Sequence, residues 1–312
     1  MGPLERGKML GISTAWRSEI LDSGAEIVEE ILGLGVRALE LEYRITKPML
    51  KEILPFVREG QVAVNSLHNI LPLPSGIPRE MANGEFVSLS SPDEGERKSA
   101  IKYTLGTMEW AEKFGAKAMV LHMGKVPIDG IMEFLMRIYD EGGTQSPEGK
   151  AFIQQHKESR ARLGKSRLEA ALKSLDTLAE EAEERGILLG IENRYKIQDF
   201  PNLEEFKAIF REFGGSPIRY WHDIGHATTQ ENLGLVLQGE LLDNLGEHLL
   251  GVHLHGCRGY ADHYAPGGGD EDYSLLKRYL KPDTVRVVET HHRATREELI
   301  RGLEFLREQG IA

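Results

Sequence analysis

The sequence predicts a single-domain (β/α)8 TIM barrel, and three observations lead there. Short apolar runs rich in β-formers alternate with helical patterns, and eight such runs occur. The later runs recur at roughly the ~30 residues of one strand–helix–strand unit. No composition break or linker divides the 312 residues, although division at about 150 residues per domain would suggest two domains. The expectation is one barrel over residues 9–312, with residues 1–8 a flexible lead-in.

The eight expected strands are 9–13 (MLGIS), 36–42 (VRALELE), 61–67 (QVAVNSL), 116–122 (AKAMVLH), 187–192 (ILLGIE), 218–223 (IRYWHD), 249–255 (LLGVHLH) and 285–290 (VRVVET). Helices fall between them. Residues 23–34 place Ile27, Ile31 and Leu34 at helical spacing and stop at Gly35. Residues 93–114 carry Glu94 and Glu96 in the first turn and stop at Gly115. Residues 166–185 repeat Leu168, Leu172, Leu175 and Leu178 and stop at Gly186. Carboxylates at the positive helix end and glycine beyond the negative end give these boundaries a mechanism.

Two strand-to-strand steps are long: 54 residues from His68 to His122 and 70 from His122 to Glu192. The surplus lies in 69–91 and 124–165, read as long loop insertions after strands 3 and 4. Such loops emerge on the C-terminal face of a barrel, where active sites form. The proline-rich NILPLPSGIP cannot be helix.

Ionisable residues end these strands or follow them directly: His68, His122, Glu192, Asp223 with His226, His253 with His255, and Glu289. Strand ends of a closed barrel converge, and so many buried ionisable groups need a cation among them. Glu192, Asp223, His253 and Glu289 form a set of three carboxylates and one imidazole, suited to Mn, Mg or Co. Adding His68, His122 and His226 moves the preference toward Zn.

These residues carry a resemblance. The chain resembles the xylose isomerase-like TIM-barrel superfamily, which holds sugar and sugar-phosphate isomerases and epimerases as well as the endonuclease IV class. The similarity runs from GIST to the final helix and includes SSPDEGER at 90–97. It implies one divalent metal on Glu192, Asp223, His253 and Glu289; Glu192 and Glu289, which reach it from strands 5 and 8 and could flank a bound substrate, are the expected catalytic residues. The endonuclease branch implies further ligands at His68, His122, His226 and His263. The last stands in DHYAPGGG, similar to an Asp-x-His-x-x-Pro-Gly-x-Gly pattern, but the aspartate position is Ala261 and Asp262 comes one place later.

Other residues have plainer readings. Glu40 and Glu42 face one side of strand 2 and are expected as buried acceptors or as orienters of a ligating histidine. His255 shares the face of His253; His291 and His292 follow strand 8, where one lining the pocket and both standing as solvated loop histidines are equal expectations. His222 should point outward to a helix. Cys257 has no base arranged for it and is expected to pack; Gly267, Gly268 and Gly269 permit a tight loop after strand 7. Substrate-binding candidates are Arg194, His226, Arg258 and Lys125, cations and an imidazole near the mouth that suit an anionic or polyhydroxy small molecule.

The net charge of −11 and the absence of a basic run argue against nucleic acid. A single cysteine excludes an intrachain disulfide and suits a reducing, cytoplasmic setting. No apolar run of ~18 residues is present to span a bilayer, and MGPLERGKMLGIST lacks a signal-peptide core. A homo-oligomer is compatible with exposed helical faces. The expected activity is a metal-dependent isomerase or epimerase of a small sugar, sugar phosphate or related hydroxycarbonyl, working by proton abstraction through a metal-bound enediolate. The alternative is a zinc-dependent, endonuclease IV-type phosphodiesterase acting on abasic DNA. A barrel that binds without turnover is a third reading.

Overall fold

Eight parallel strands close into a barrel in the computed structural model, which describes residues 9–128 and 130–312. The expected lead-in at 1–8 lies outside the described residues. The barrel strands are β1 (Gly11–Ser13), β2 (Ala38–Leu41), β3 (Ala63–His68), β4 (Ala118–Leu121), β5 (Leu188–Glu192), β6 (Ile218–Asp223), β7 (Leu249–Leu254) and β10 (Val285–Val288). They pair in the order β1-β10-β7-β6-β5-β4-β3-β2 and close between β1 and β2. Eleven helices are described: α1 (Ala15–Ser18), α2 (Gly24–Leu32), α3 (Lys47–Arg58), α4 (Glu94–Phe114), α5 (Ile131–Asp140), α6 (Pro147–Arg185), α7 (Leu203–Glu212), α8 (Ile224–Asn232), α9 (Gln238–Leu245), α10 (Tyr273–Lys277) and α11 (Arg296–Glu308). None of them is long and apolar enough to cross a membrane.

The predicted helix boundaries follow their caps. Asp93 accepts the Glu96 N–H at the start of α4, and Gly115 ends it in the left-handed region at φ 68°. The segment 124–165, read as a loop, is instead mostly helical. It contains α5, and α6 begins at Pro147 behind a Ser146 cap and runs unbroken to Arg185. Its first half shows no apolar stripe because it is anchored by a buried cation. Arg160 donates to the carbonyls of Ile197 (3.2 Å) and Asp199 (2.7 Å) and pairs with Glu205. The glycine-bearing loop after β7 is also more ordered than expected. An antiparallel hairpin, β8 (Gly256–Arg258) and β9 (Ala261–Tyr264), folds back there.

Period two along each strand sorts the barrel interior into layers. Ala118 and Val120 lie below His122, Trp221 below Asp223, and Val285 and Val287 below Glu289; these apolar residues form one buried cluster. The Trp221 indole fills the floor because glycines face it. A Cβ at Gly251 would stand 2.3 Å from Trp221 Cζ3, and one at Gly190 2.9 Å from Cε3. Outward-facing residues pack against the helices in a second, larger core. His222 belongs to that outer layer, with Nδ1 2.7 Å from the Tyr220 hydroxyl.

Candidate metal centre

Three carboxylates from three strand ends converge on one ring nitrogen. Nδ1 of His253 lies 2.8 Å from Glu192 Oε1, 3.2 Å from Glu289 Oε2 and 3.6 Å from Asp223 Oδ2. All four side chains are buried, and one donor atom from each lies within 4.8 Å of the others, a set able to hold a metal ion. The far side of the ring is fixed too. His253 Nε2 is 3.1 Å from both oxygens of Glu40, which also accepts the Ser66 hydroxyl at 2.7 Å. Glu40 is thus an orienter of a candidate ligand histidine, while Glu42 is spent on the backbone and guanidinium of Arg44.

Burial opposes ionisation of every carboxylate here and wins at Glu40, whose pKa is raised. At Glu192 burial is overcome by Arg194 and His122, which hold the carboxyl well below its usual range. His226 and His255 do the same for Asp223, and His253 for Glu289. Burial also disfavours charge on His253, yet Glu289 and Glu40 drive its pKa well above the usual value. One Nδ1 proton cannot satisfy three ionised carboxylates. A divalent cation fits this donor set.

The other histidines the sequence singled out surround this group. His122 Nε2 lies 2.7 Å from Glu192 Oε2, and Arg194 Nη1 lies 2.9 Å from that oxygen and 3.0 Å from the same imidazole nitrogen. The His68 ring stacks on His253, its Nε2 3.6 Å from Glu289 Oε1 and its Nδ1 buried without a hydrogen-bond partner among the described residues. His226 Nδ1 lies 3.0 Å from the backbone carbonyl of Asn193, which leaves Nε2 facing Asp262 Oδ2 at 3.6 Å. Burial lowers the pKa of His68 to about 3 and of His226 to about 4, so both rings are neutral.

The β8–β9 hairpin carries Asp262 and His263 over the mouth. Burial opposes charge on His263, but Asp262, with Oδ1 2.9 Å from its Nδ1, raises the pKa to about 10. The displaced motif at Ala261 therefore does not remove the carboxylate, since donor atoms of Asp262, His226 and His263 come within 4.8 Å of one another. His263 stacks between His255 (4.3 Å) and His291 (4.0 Å).

Above the centre lies a cavity of about 280 Å³. Glu289, Arg194, Lys125, His226, His263 and His291 are among its lining residues; Glu192, Asp223 and His253 lie beneath its surface. Exposed Lys125 sits where residue 125 bridges residue 199 backbone to backbone. Glu85, from the insertion after β3, also lines the cavity and gave no sequence signal. Asp199, seven residues after the strand-ending Glu192, also lines the cavity and likewise gave no sequence signal. Arg258 does not line this cavity. Its side chain lies on the exposed face of the hairpin, over the Tyr264 ring, with Nε donating to the Gly268 carbonyl at 2.8 Å. Cys257 packs, with burial pushing its thiol up to about 12.

The chain matches a family model described as xylose isomerase-like TIM barrel over residues 28–309. No curated protein matches it in sequence. Among solved structures it resembles a D-tagatose 3-epimerase-like protein (18% identity, 96% of each chain covered, TM-score 0.68). It also resembles the 3-keto-D-glucoside 4-epimerase YcjR of E. coli (16% identity, 96% of this chain and 99% of the other, TM-score 0.66). A third is the IolI protein with a bound zinc atom (15% identity, 97% and 98% covered, TM-score 0.67).

Proposed function

The chain belongs to the xylose isomerase-like TIM-barrel family, and from that premise we propose that it is a divalent-metal-dependent isomerase or epimerase of a small sugar or related hydroxycarbonyl compound. The observation that carries this reading is the convergence of Glu192, Asp223 and Glu289 on His253 Nδ1, with Glu289 facing a polar cavity. The likeness to solved epimerases supports the substrate class, and the zinc bound by IolI supports a divalent ion.

Glu192, Asp223, His253 and Glu289 would hold the ion, with manganese, magnesium, cobalt and zinc all compatible with the donor set. When bound, it supplies a Lewis acid that polarises a carbonyl and its neighbouring hydroxyl. Glu289 takes the proton from the hydroxyl-bearing carbon beside the carbonyl, because among the four it alone lines the cavity. Glu192, whose Oε1 is held by the same imidazole nitrogen, is the second carboxylate of the exchange. Return of the proton to the neighbouring carbon gives an isomer, and return to the opposite face of the same carbon gives an epimer. His226 offers Nε2, which makes no hydrogen bond among the described residues, to a substrate hydroxyl, and Lys125 stands at the rim for an anionic end. The hairpin and the residue 69–91 insertion shield the site from water.

Solvent-deuterium exchange into a panel of free ketoses and ketose phosphates tests the reading. Metal-loaded protein should label at least one of them at the carbon beside the carbonyl, and chelator should stop it. No exchange with any substrate under any metal would contradict it.

A second reading, the zinc phosphodiesterase, draws on two of the further candidate groups, His68–His122–Glu192 and His226–Asp262–His263. A net charge of −11 and a mouth bearing Glu85 and Asp262 oppose it, because a DNA backbone needs a cationic surface. Cleavage of an abasic duplex by zinc-loaded protein, with no deuterium exchange, would reverse the order of the two readings.

A further inference from the structure

Donor atoms of His68, His122 and Glu192 lie within 4.8 Å of one another, and all three side chains are buried. By donor chemistry this group could take a zinc ion. A guanidinium already stands in it. Arg194 Nη1 donates to Glu192 Oε2 at 2.9 Å and lies 3.0 Å from His122 Nε2, so two of the three potential ligands face an existing cation. Behind it, Nε lies 3.8 Å from Glu85 Oε1, and the side chain of Gln230 grips the Arg194 backbone carbonyl.

We infer that Arg194 is the resident cation of the His68–His122–Glu192 group and excludes a metal ion from it. The two oxygens of Glu192 divide the work. Oε1 faces His253 in the candidate metal centre, while Oε2 faces Arg194 and His122. Guanidinium does not give up its proton under ordinary conditions, so it cannot step aside as a neutral group. A second dication beside it would meet fixed like charge in a buried setting, where repulsion is poorly screened. The substitution also changes the chemistry available. Paired metals a few ångströms apart clamp the attacking and leaving oxygens of a phosphodiester, whereas one metal beside a fixed donor suits carbonyl polarisation. Arg194 is then a specificity-determining residue for the centre. This inference rests on reading the centre as a metal site.

Zinc content after loading and desalting tests it, with far-UV circular dichroism and Tm to confirm folding. Arg194→Met and Arg194→Gln should each hold one more zinc per chain than wild type, and Arg194→Lys should match wild type. Adding His122→Ala to Arg194→Met should remove the extra ion. His122→Ala alone should leave the wild-type count unchanged, a result that does not require the arginine variants to fold. Folded Met and Gln variants with the wild-type count would overturn the inference, as would loss of a zinc in His122→Ala alone. Wild type that takes up no zinc would sink the metal-centre reading, while an added equivalent in Arg194→Met would still support the role of Arg194. No zinc in any form would overturn both.

Discussion

Nε2 of His255 lies 2.9 and 3.0 Å from the two carboxylate oxygens of Asp223, while its Nδ1 accepts the backbone N–H of His263 at 2.9 Å. The second bond fixes the tautomer, so the proton on Nε2 points at the carboxylate. Asp223 is also held by the backbone N–H of His226 at 2.7 Å, as the cap of α8. Its position is therefore set by a neighbouring imidazole and a helix start together.

That arrangement needs glycine at 225. A Cβ there would stand 2.1 Å from His255 Cε1. Gly225→Ala and His255→Ala should each weaken metal binding by roughly 10–100-fold, the usual effect of removing a ligand's hydrogen-bond partner. Competition against a chromophoric chelator measures this. Unchanged affinity in both variants would remove His255 from the account.

The two glutamates should separate kinetically. Glu289→Gln should lower deuterium exchange by roughly 10²–10⁴-fold, the range for loss of a general base, while some metal binding remains. Glu192→Gln should lose metal and exchange together, because Glu192 also carries the Arg194 and His122 contacts. Wild-type exchange in Glu289→Gln would assign the proton transfer elsewhere.

Asp199 gives a pH signature. Burial pushes its carboxyl from the ordinary 3.8 up to about 6, against the pull of Arg194. A folded-state pKa above the unfolded one favours the protonated form, so its stabilising contribution is present at low pH and is lost as pH rises through about 6. Asp199→Asn should therefore be more stable than wild type at pH 8, by about 1–3 kcal/mol, and equal to it near pH 4. Urea unfolding at both pH values checks this, and a gap that grows toward acid would contradict it.

The barrel floor predicts a packing cost. Gly251→Ala forces the Trp221 indole to move and should destabilise by about 1–3 kcal/mol, more than Gly190→Ala, whose new Cβ stands farther off at 2.9 Å against 2.3 Å. Equal Tm values for all three proteins would show that the floor can relax.

The barrel and the inner group were legible because period two forces residues 118, 120 and 122, or 285, 287 and 289, onto one face, and most of the apolar runs end in or beside an ionisable residue. What escaped was set by long-range polar contact. The first half of α6 has no hydrophobic stripe, because Arg160 anchors it through carbonyls of the loop after β5. Asp262 reaches His226 only through the β8–β9 hairpin, and the same hairpin turns Arg258 away from the cavity. Arg194 was visible as a cation near the mouth, but its contact with His122 joins residues 72 apart and leaves no local pattern.

The most direct measurement is anomalous diffraction from a crystal soaked in manganese or zinc. The account predicts a peak bound by Glu192, Asp223, His253 and Glu289. Density that leaves those four side chains without an ion at saturating metal, or a peak only elsewhere in the barrel, would contradict it.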